Sequence, residues 1–463
     1  MLYQLLRGTA AIALRWYYAD IAVQGRERVP RDVPLLVLAN HPNALIDPLL
    51  VGTAVPRRVL LTAKATLFEH PALALLLRAV GVVPLRRAKD EAHDGAPATP
   101  ERNAQAFAQV TSALRARSVV LIFPEGISHD DPTLAPLKSG AARMALQAHH
   151  EEVPGIRLLP MGLIFEEKER PDSRVLVRIG EALDLDAWLA QHSMADAQEL
   201  TQTLEAALRA VTLNFASAER AARAVRLARV LVTLAGAPAP VEESPSLDEE
   251  AALALRIDAA TSALADAPPH LIDAADSLVS SLDTIERELQ RRGIRLADVR
   301  VSTRLPDAAV FVAREGPLIL VAGVAVVLGW ATHWIPLRVA RALALRSLVR
   351  DTSRDQPAMR TILFGLSAVV LWYVALFVVL ARMGGPFVAV AGLTIIFSAA
   401  HALRVGGRRL ERALQRARSF LALRGDPSLQ PRIVAAVDEL LAEALALEQA
   451  LIARGAPAAE RHR

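Results

Sequence analysis

The stretch "PLLVLANHPNALIDPLL", Pro34 to Leu50, runs from an unbroken apolar segment into a helix-opening signal across a loop that holds a histidine and an aspartate. Leu35 to Ala39 is apolar at every position, the pattern of a strand buried on both faces. Pro42 biases His41 toward extended backbone. Asp47-Pro48 reads as an N-cap followed by proline at the first helical position. The stretch therefore predicts strand, tight loop, helix. His41 and Asp47 stand six residues apart. On one helix that spacing turns about 600°, which points the side chains about 120° apart and excludes a shared helix face. A loop that folds back would let the carboxylate meet the imidazole. A turn with a capping aspartate is the other reading of the same residues.

The pattern repeats outward from this stretch. "RRVLLTAK", "GVVPLRR", "SVVLIFPEG", "IRLLPMGLIF" and "RVLVRIG" are further short apolar runs, and helical patterns such as "HPALALLLRAV" and "KSGAARMALQAH" lie between them. This alternation predicts an α/β domain with a mixed, largely parallel sheet flanked by helices. "AKDEAHDGAPATPE" reads as a polar surface loop.

Composition narrows the function classes. The 463 residues leave room for more than one domain. A hydrophobic share of 53% exceeds the usual globular fraction. Net charge is +4 and aromatic residues are 4%, with no basic-aromatic stacking pattern, so nucleic-acid binding gains no support. Zero cysteines exclude disulfides, thiolate metal sites and cysteine nucleophiles. No ligand cluster for a metal is evident, and no cofactor is expected.

Much of the apolar excess lies toward the C-terminus. "PLILVAGVAVVLGWATHWI" starts at Pro317, "TILFGLSAVVLWYVALFVVLA" at Thr361 and "PFVAVAGLTIIFSAAHAL" at Pro386. The second meets the length and charge criteria for a spanning helix. Arginines flank the second and third runs on their outer sides, while "RMGGP" between them carries one. The positive-inside rule then favours a hairpin over 361–403 with both ends cytoplasmic. The first run has arginines on both sides, which suits a re-entrant or in-plane segment bounded by Pro317 and Pro336 better than a crossing. At the N-terminus, residues 1–24 read as an amphipathic helix with Trp16, Tyr17 and Tyr18 where an interfacial helix carries aromatics. Arg7 and Arg15 argue against a secretory signal.

Four stretches carry the chemistry: "NHPNALIDP", "GVVPLRR", "FPEGISHD" and "LLPMGL", each at the end of a strand. Loops at strand ends of an open α/β sheet converge on one cleft. Arg86 and Arg87 suit a phosphate or carboxylate. Glu125 with the Gly126 backbone suits a polyol, and Lys138 beside a helix start near Ser139 suits an anion. Taken singly, each is as readily a surface charge or a plain turn. His129 also lies beside the cleft. Its adjacent acids, Asp130 and Asp131, diverge on an extended loop, so His41 is the better base.

The ordered set resembles the glycerolipid acyltransferase family, the PlsC-like lysophosphatidate and glycerol-3-phosphate acyltransferases, over roughly Val23 to Leu185. The family signature places four residues between its histidine and aspartate, whereas His41 and Asp47 have five. That longer spacing, with "FPEGISHD…PLKSGAA", looks like the branch acting on glycerol-3-phosphate or dihydroxyacetone phosphate. The resemblance implies His41 as general base and Asp47 as its orienting acid. It implies Arg86, Arg87, Glu125, Gly126, Ser128 and Lys138 as substrate-binding residues, and Pro160 as part of the acyl-donor site. The implied function is membrane-bound acyl transfer from acyl-CoA or acyl-carrier protein to glycerol-3-phosphate or a lysophospholipid. The alternative is a non-catalytic lipid-binding or scaffold protein that keeps the fold.

The expected partners are membrane lipid, an acyl donor and a phosphorylated glycerol acceptor, with the catalytic domain on the cytoplasmic face. The expected organisation is an acyltransferase domain over 25–235, a linker over 236–246, a helical spacer over 247–310, a membrane region over 311–405 and C-terminal amphipathic helices over 406–463.

Overall fold

The computed structural model describes residues 2–44, 46–64, 83–85, 100–192, 194, 196–236, 246–347 and 357–454. The chain divides into two compact units, Met1–Asn214 with Ala342–Leu366 and Phe215–Arg341 with Ser367–Arg463.

The first unit opens with α1 (Leu2–Tyr17) and β1 (Asp20–Gln24). Then follow β2 (Leu35–Ala39), α2 (Ile46–Ala54), β3 (Val59–Lys64), β4 (Val83–Leu85), α3 (Pro100–Arg115), β5 (Val119–Ile122) and α4 (Gly140–His150). β6 (Arg157–Phe165), β7 (Arg174–Ile179), β8 (Leu183–Asp184), α5 (Leu185–Gln191) and α6 (Ala197–Val211) complete it. The strands form one sheet in the order β1-β7-β6-β2-β5-β3-β4, with β8 paired to β6. β2, β5, β3, β4 and β6 run parallel to their neighbours along this path, and β7 reverses against β6. The expected mixed, largely parallel sheet flanked by helices is the fold observed.

The alternation along β2 shows why its sequence is apolar throughout. Leu35, Val37 and Ala39 pack into the core on one face with α1 and α2. Leu36 and Leu38 pack into the core on the other face with α3 and α4. Every residue of β2 is buried, and burial of each leucine side chain contributes about 1.5–3 kcal/mol.

Strand direction then places the loops. β6, β2 and β5 are adjacent and parallel, with Leu38 beside Ile122 and beside Pro160. The loops that leave their C-terminal ends therefore emerge on the same sheet edge: His41 after β2, Phe123–Asp131 after β5 and Glu166–Ser173 after β6. β7 is antiparallel to β6 and β1 parallel to β7, so the start of β1 lies on that edge as well. Gly162 marks close packing behind it: an added Cβ would lie 1.9 Å from the carbonyl oxygen of Val211 at the end of α6.

The second unit is helical: α7 (Ala218–Ala235), α8 (Leu247–Leu264), α9 (Pro269–Arg292), α10 (Leu305–Ser347), α11 (Pro357–Gly425, whose first turns belong to the first unit) and α12 (Leu429–Ala453). α7, α9 and α12 share one core through Leu231, Leu282, Leu289, Ile433, Val437 and Leu440. α11 is not one rod. Gly384 and Gly385 leave helical geometry, and Gly385 has φ 82. A Cβ on Gly392 would lie 2.8 Å from Leu380. Residues twelve apart on a straight helix are about 18 Å apart, so the arms on either side of the glycines fold back on each other. The reversal falls within "RMGGP".

Two stretches, Gly323–Leu343 and Ser367–Gly425, are long and apolar enough to cross a membrane. Their apolar side chains point outward: Leu320, Val324, Leu371 and Phe387 are among the most exposed large hydrophobics. A core helix of a water-soluble domain would turn those residues inward.

Three sequence expectations need correction. α1 ends at Tyr17, and Asp20–Gln24 is an edge strand rather than helix. Asp-Ile-Ala-Val-Gln is too short and too weakly apolar to stand out beside the helix before it. The boundary placed after residue 235 lies at Asn214, because α7 packs on α8 and α9 instead of on the sheet. The spacer over 247–310 and the C-terminal helices over 406–463 are likewise parts of one helical unit. Finally, Pro317 and Pro336 do not bound a re-entrant segment. Both lie inside the continuous helix α10, which makes no reversal there.

Candidate active site

The site is assembled on the loop between β2 and α2. His41 Nδ1 lies 2.9 Å from Asp47 Oδ2. The backbone N–H of Asn43 donates to the same oxygen at 2.7 Å. α2 begins at Ile46, so Asp47 stands inside the first turn instead of capping it. Its carboxylate reaches back to a backbone N–H four residues earlier, outside the helix. That reach folds the loop and brings the imidazole to the carboxylate. The loop is strained: Ala44 has φ 39, a conformation that persists only where the surroundings over-determine it.

The surroundings do so through the loop after β5. Glu125 Oε1 accepts the N–H of His41 at 2.9 Å. His129 donates its N–H to the carbonyl of His41 at 3.3 Å. Ser128 Oγ accepts the N–H of Ala44 at 3.1 Å. The ring of Phe123 stacks on the imidazole, 3.9 Å between centroids and 11° from parallel. Three residues of one loop thus fix the backbone and ring plane of His41, and a fourth, Ser128, holds Ala44.

Electrostatics follow from this enclosure. Asp47 is fully buried. Desolvation pushes its carboxyl pKa up, opposed by the hydrogen bond and charge of His41, by the Asn43 N–H and by Lys168. His129 is pushed up chiefly by its hydrogen bond to Glu125. The imidazole of His41 remains 12% exposed. With Nδ1 committed to Asp47, Nε2 is its nitrogen without a protein partner among the described residues. An Nδ1–H donated to Asp47 leaves the Nε2 lone pair to take a proton.

The other sequence-derived residues divide. The carboxylate of Glu125 is engaged within the protein. It is 2% exposed, and Oε2 accepts the N–H of Ala135 at 2.8 Å and a hydrogen bond from the ring of His129. Ser128 braces the loop as described. Gly126 has φ 72, a left-handed conformation that favours glycine, and the flexible end of the Lys138 side chain lies over it, Nζ 2.7 Å from where a Cβ would sit. Lys138 is exposed over that turn and directly precedes Ser139 and the start of α4. Pro160 is buried in β6; its carbonyl accepts the N–H of Gly180 at 2.9 Å. Arg86 and Arg87 lie outside the described residues.

Sequence reasoning missed several contributors. Tyr18, the Asn43 side chain and Lys168 all hydrogen-bond within the site. Asn43 sits inside the quoted loop, and a polar residue in a loop about to be buried was the available signal. Lys168, in "FEEKER", reads as one more solvated charge and offered none.

Comparison with known proteins finds similarity over the segment that carries this geometry. The Acyltransferase family matches residues 20–164, the segment that contains His41, Asp47 and Glu125. An uncharacterized acyltransferase of Schizosaccharomyces pombe is 25% identical over 256 residues, 38% of this chain and 38% of that protein. Glycerol-3-phosphate O-acyltransferase 2 of Saccharomyces cerevisiae is 36% identical over 85 residues, 18% of this chain and 11% of that protein. The chain therefore spans well under half the length of these relatives. The crystal structure of the 1-acyl-sn-glycerophosphate acyltransferase PlsC from Thermotoga maritima is 21% identical with a TM-score of 0.35, covering 45% of this chain and 78% of that one. Residues 20–164 thus match the Acyltransferase family, and over short stretches the chain is similar to glycerol-3-phosphate acyltransferases.

Proposed function

We propose that this protein is a membrane-bound O-acyltransferase that moves a fatty acyl group from acyl-CoA or acyl-carrier protein to glycerol-3-phosphate or a lysophospholipid. The observation that carries the reading is the His41–Asp47 pair at 2.9 Å, buried on the acid side and open at the histidine's other nitrogen. His41 Nε2 takes the proton of the acceptor hydroxyl as that oxygen attacks the thioester carbonyl carbon. Asp47 holds the Nδ1–H tautomer and stabilises the imidazolium. Collapse of the tetrahedral intermediate forms the ester bond and breaks the carbon–sulfur bond, and the imidazolium returns its proton to the thiolate. The substrate hydroxyl takes the place that a serine occupies in a hydrolase triad.

A phosphate on the acceptor is supported by Arg87, which falls on the family's conserved-motif arginine in the resemblance, and by Lys138 over the Gly126 turn. Membrane attachment is supported by the outward apolar faces of α10 and α11. The arginine blocks outside the hairpin support a cytoplasmic catalytic unit.

The test is acyl transfer by the detergent-purified full chain, with labelled acyl-CoA or acyl-carrier protein and four acceptors: glycerol-3-phosphate, dihydroxyacetone phosphate, a lysophosphatidate and glycerol. A phosphorylated acceptor is expected to be preferred, and Arg87→Ala is expected to raise its KM by about tenfold or more. Equal use of glycerol, or an unchanged KM in the folded variant, overturns the phosphate assignment.

A further inference from the structure

We propose that Tyr18, Asn43 and Lys168 are positioning residues that hold the strained His41–Asp47 loop from the side opposite Glu125. The inference rests on the acyl-transfer reading for its kinetic consequences, but its geometry stands on hydrogen bonds from Tyr18 and Lys168, which lie outside the four motif stretches.

The loop has two sets of fastenings. The loop after β5 secures His41 and Ala44. Nothing in that set holds Pro42 or the Asn43 side chain, and it is the Asn43 N–H that anchors the Asp47 oxygen shared with His41. Those two residues are held from the other side. The Asn43 side-chain amide donates to Tyr18 Oη at 3.0 Å and to the carbonyl of Lys168 at 3.3 Å. Tyr18 donates its hydroxyl hydrogen to the same carbonyl at 3.3 Å. Lys168 Nζ donates to the carbonyl of Pro42 at 2.5 Å and to that of His129 at 3.5 Å, and it pairs with Asp130. One lysine therefore clips the loop after β2 to the loop after β5.

Two features separate this from ordinary packing. Tyr18 is 1% exposed and Asn43 0%, so both polar side chains lie in a region where a misplaced partner goes unhydrated. The ammonium of Lys168 has three hydrogens and three protein oxygens around it, which accounts for its whole donor capacity and leaves none for a substrate phosphate. Its charge also favours the ionised form of Asp47 against burial. Tyr18 follows α1 directly, and Tyr17 donates its hydroxyl to the carbonyl of Glu169 at 2.6 Å. The loop after β6 thus joins the end of α1 to the dyad.

The consequence is geometric. A general base displaced by about 1 Å loses on the order of a hundredfold in rate while its substrates still bind. Tyr18→Phe keeps the ring and removes one oxygen. Lys168→Met keeps the stem and removes the ammonium. In the full chain, kcat is expected to fall about 3- to 10-fold for Tyr18→Phe and about 10- to 100-fold for Lys168→Met, with both KM values unchanged. The double variant is expected to lose less than the product of the single losses, because both act on one loop.

A second readout does not need turnover. Diethyl pyrocarbonate labelling of His41, mapped by mass spectrometry, is expected to be faster in both variants than in the parent, with melting temperatures confirming that each is folded. Unchanged labelling of His41 overturns the proposal, and so does a raised acceptor KM at constant kcat or a fully multiplicative double variant. If the parent transfers no acyl group to any acceptor, the acyl-transfer reading fails. The labelling series then decides the positioning network by itself.

Discussion

The sheet unit and the α10–α11 region use the same apolar residues in opposite senses. In β2 every side chain points into a core, and the polar groups of the unit gather at one sheet edge, where they hydrogen-bond to one another. In α10 and α11 leucine, valine and phenylalanine point outward, while polar groups such as His333 and Tyr373 face each other inside, 3.0 Å apart. The difference shows which surroundings each arrangement suits. Water rewards the first arrangement; a hydrocarbon layer, which satisfies no polar group, rewards the second. It also explains why the chemistry belongs to the sheet unit. Among the described residues, it is there that a partly exposed histidine meets a buried carboxylate beside groups able to orient both.

The largest expected effect comes from placing the same charge in each region. Leu36→Lys puts an ammonium at a fully buried position of β2 and is expected to abolish folding, read as loss of a cooperative melt. Leu371→Lys with Val374→Lys falls on exposed apolar positions of α11. That pair is expected to leave the sheet unit folded but to reduce membrane retention, since each lysine near a span centre costs about 2.5–3.5 kcal/mol on an insertion scale. Full retention in a flotation assay would break the comparison.

A smaller effect separates function from stability inside the site. Asp47→Asn is expected to lower kcat by about 10²-fold or more through loss of the orienting charge. Its stability effect has the opposite sign. Burial raises the carboxyl pKa in the folded state, so ionisation opposes folding. The penalty is complete above the folded pKa and gone below the unfolded value of about 4. The Asn variant should therefore melt at or above the parent at neutral pH, with any gain shrinking as pH falls. A lower melting temperature at neutral pH that recovers in acid would contradict this.

The smallest effect tests the hairpin. Gly385 has φ 82 and open space around it, so Gly385→Ala meets backbone strain alone, about 1 kcal/mol. A modest drop in melting temperature with activity retained is expected. No change would mean that the reversal does not need a left-handed residue there.

What the sequence made legible follows the same division. Six strands stood out because each is a short apolar run between turn signals, and the histidine–aspartate pair because prolines set the ends of its loop. β1 was missed because an edge strand of three half-buried residues between two exposed ones looks like the frayed end of the helix before it. The boundary at Asn214 was missed because α7 is amphipathic, and amphipathicity reports that a helix has a partner without naming which. The roles of Glu125 and Lys168 depend on which backbone groups lie opposite after folding. A glutamate that binds substrate and one that binds the His41 N–H read alike in sequence. The continuous course of α10 through Pro317 and Pro336 was hidden by the rule that proline interrupts helices, a rule that helices in hydrocarbon relax.

The central claim is that His41, oriented by Asp47, performs acyl transfer. Its most direct test compares parent and His41→Ala in single-turnover transfer of a labelled acyl group, with acyl-donor binding measured on the same preparations. The account predicts a rate loss of at least about 10²–10⁴-fold with donor affinity and melting temperature retained. A folded His41→Ala variant that transfers the acyl group at the parent rate would contradict it.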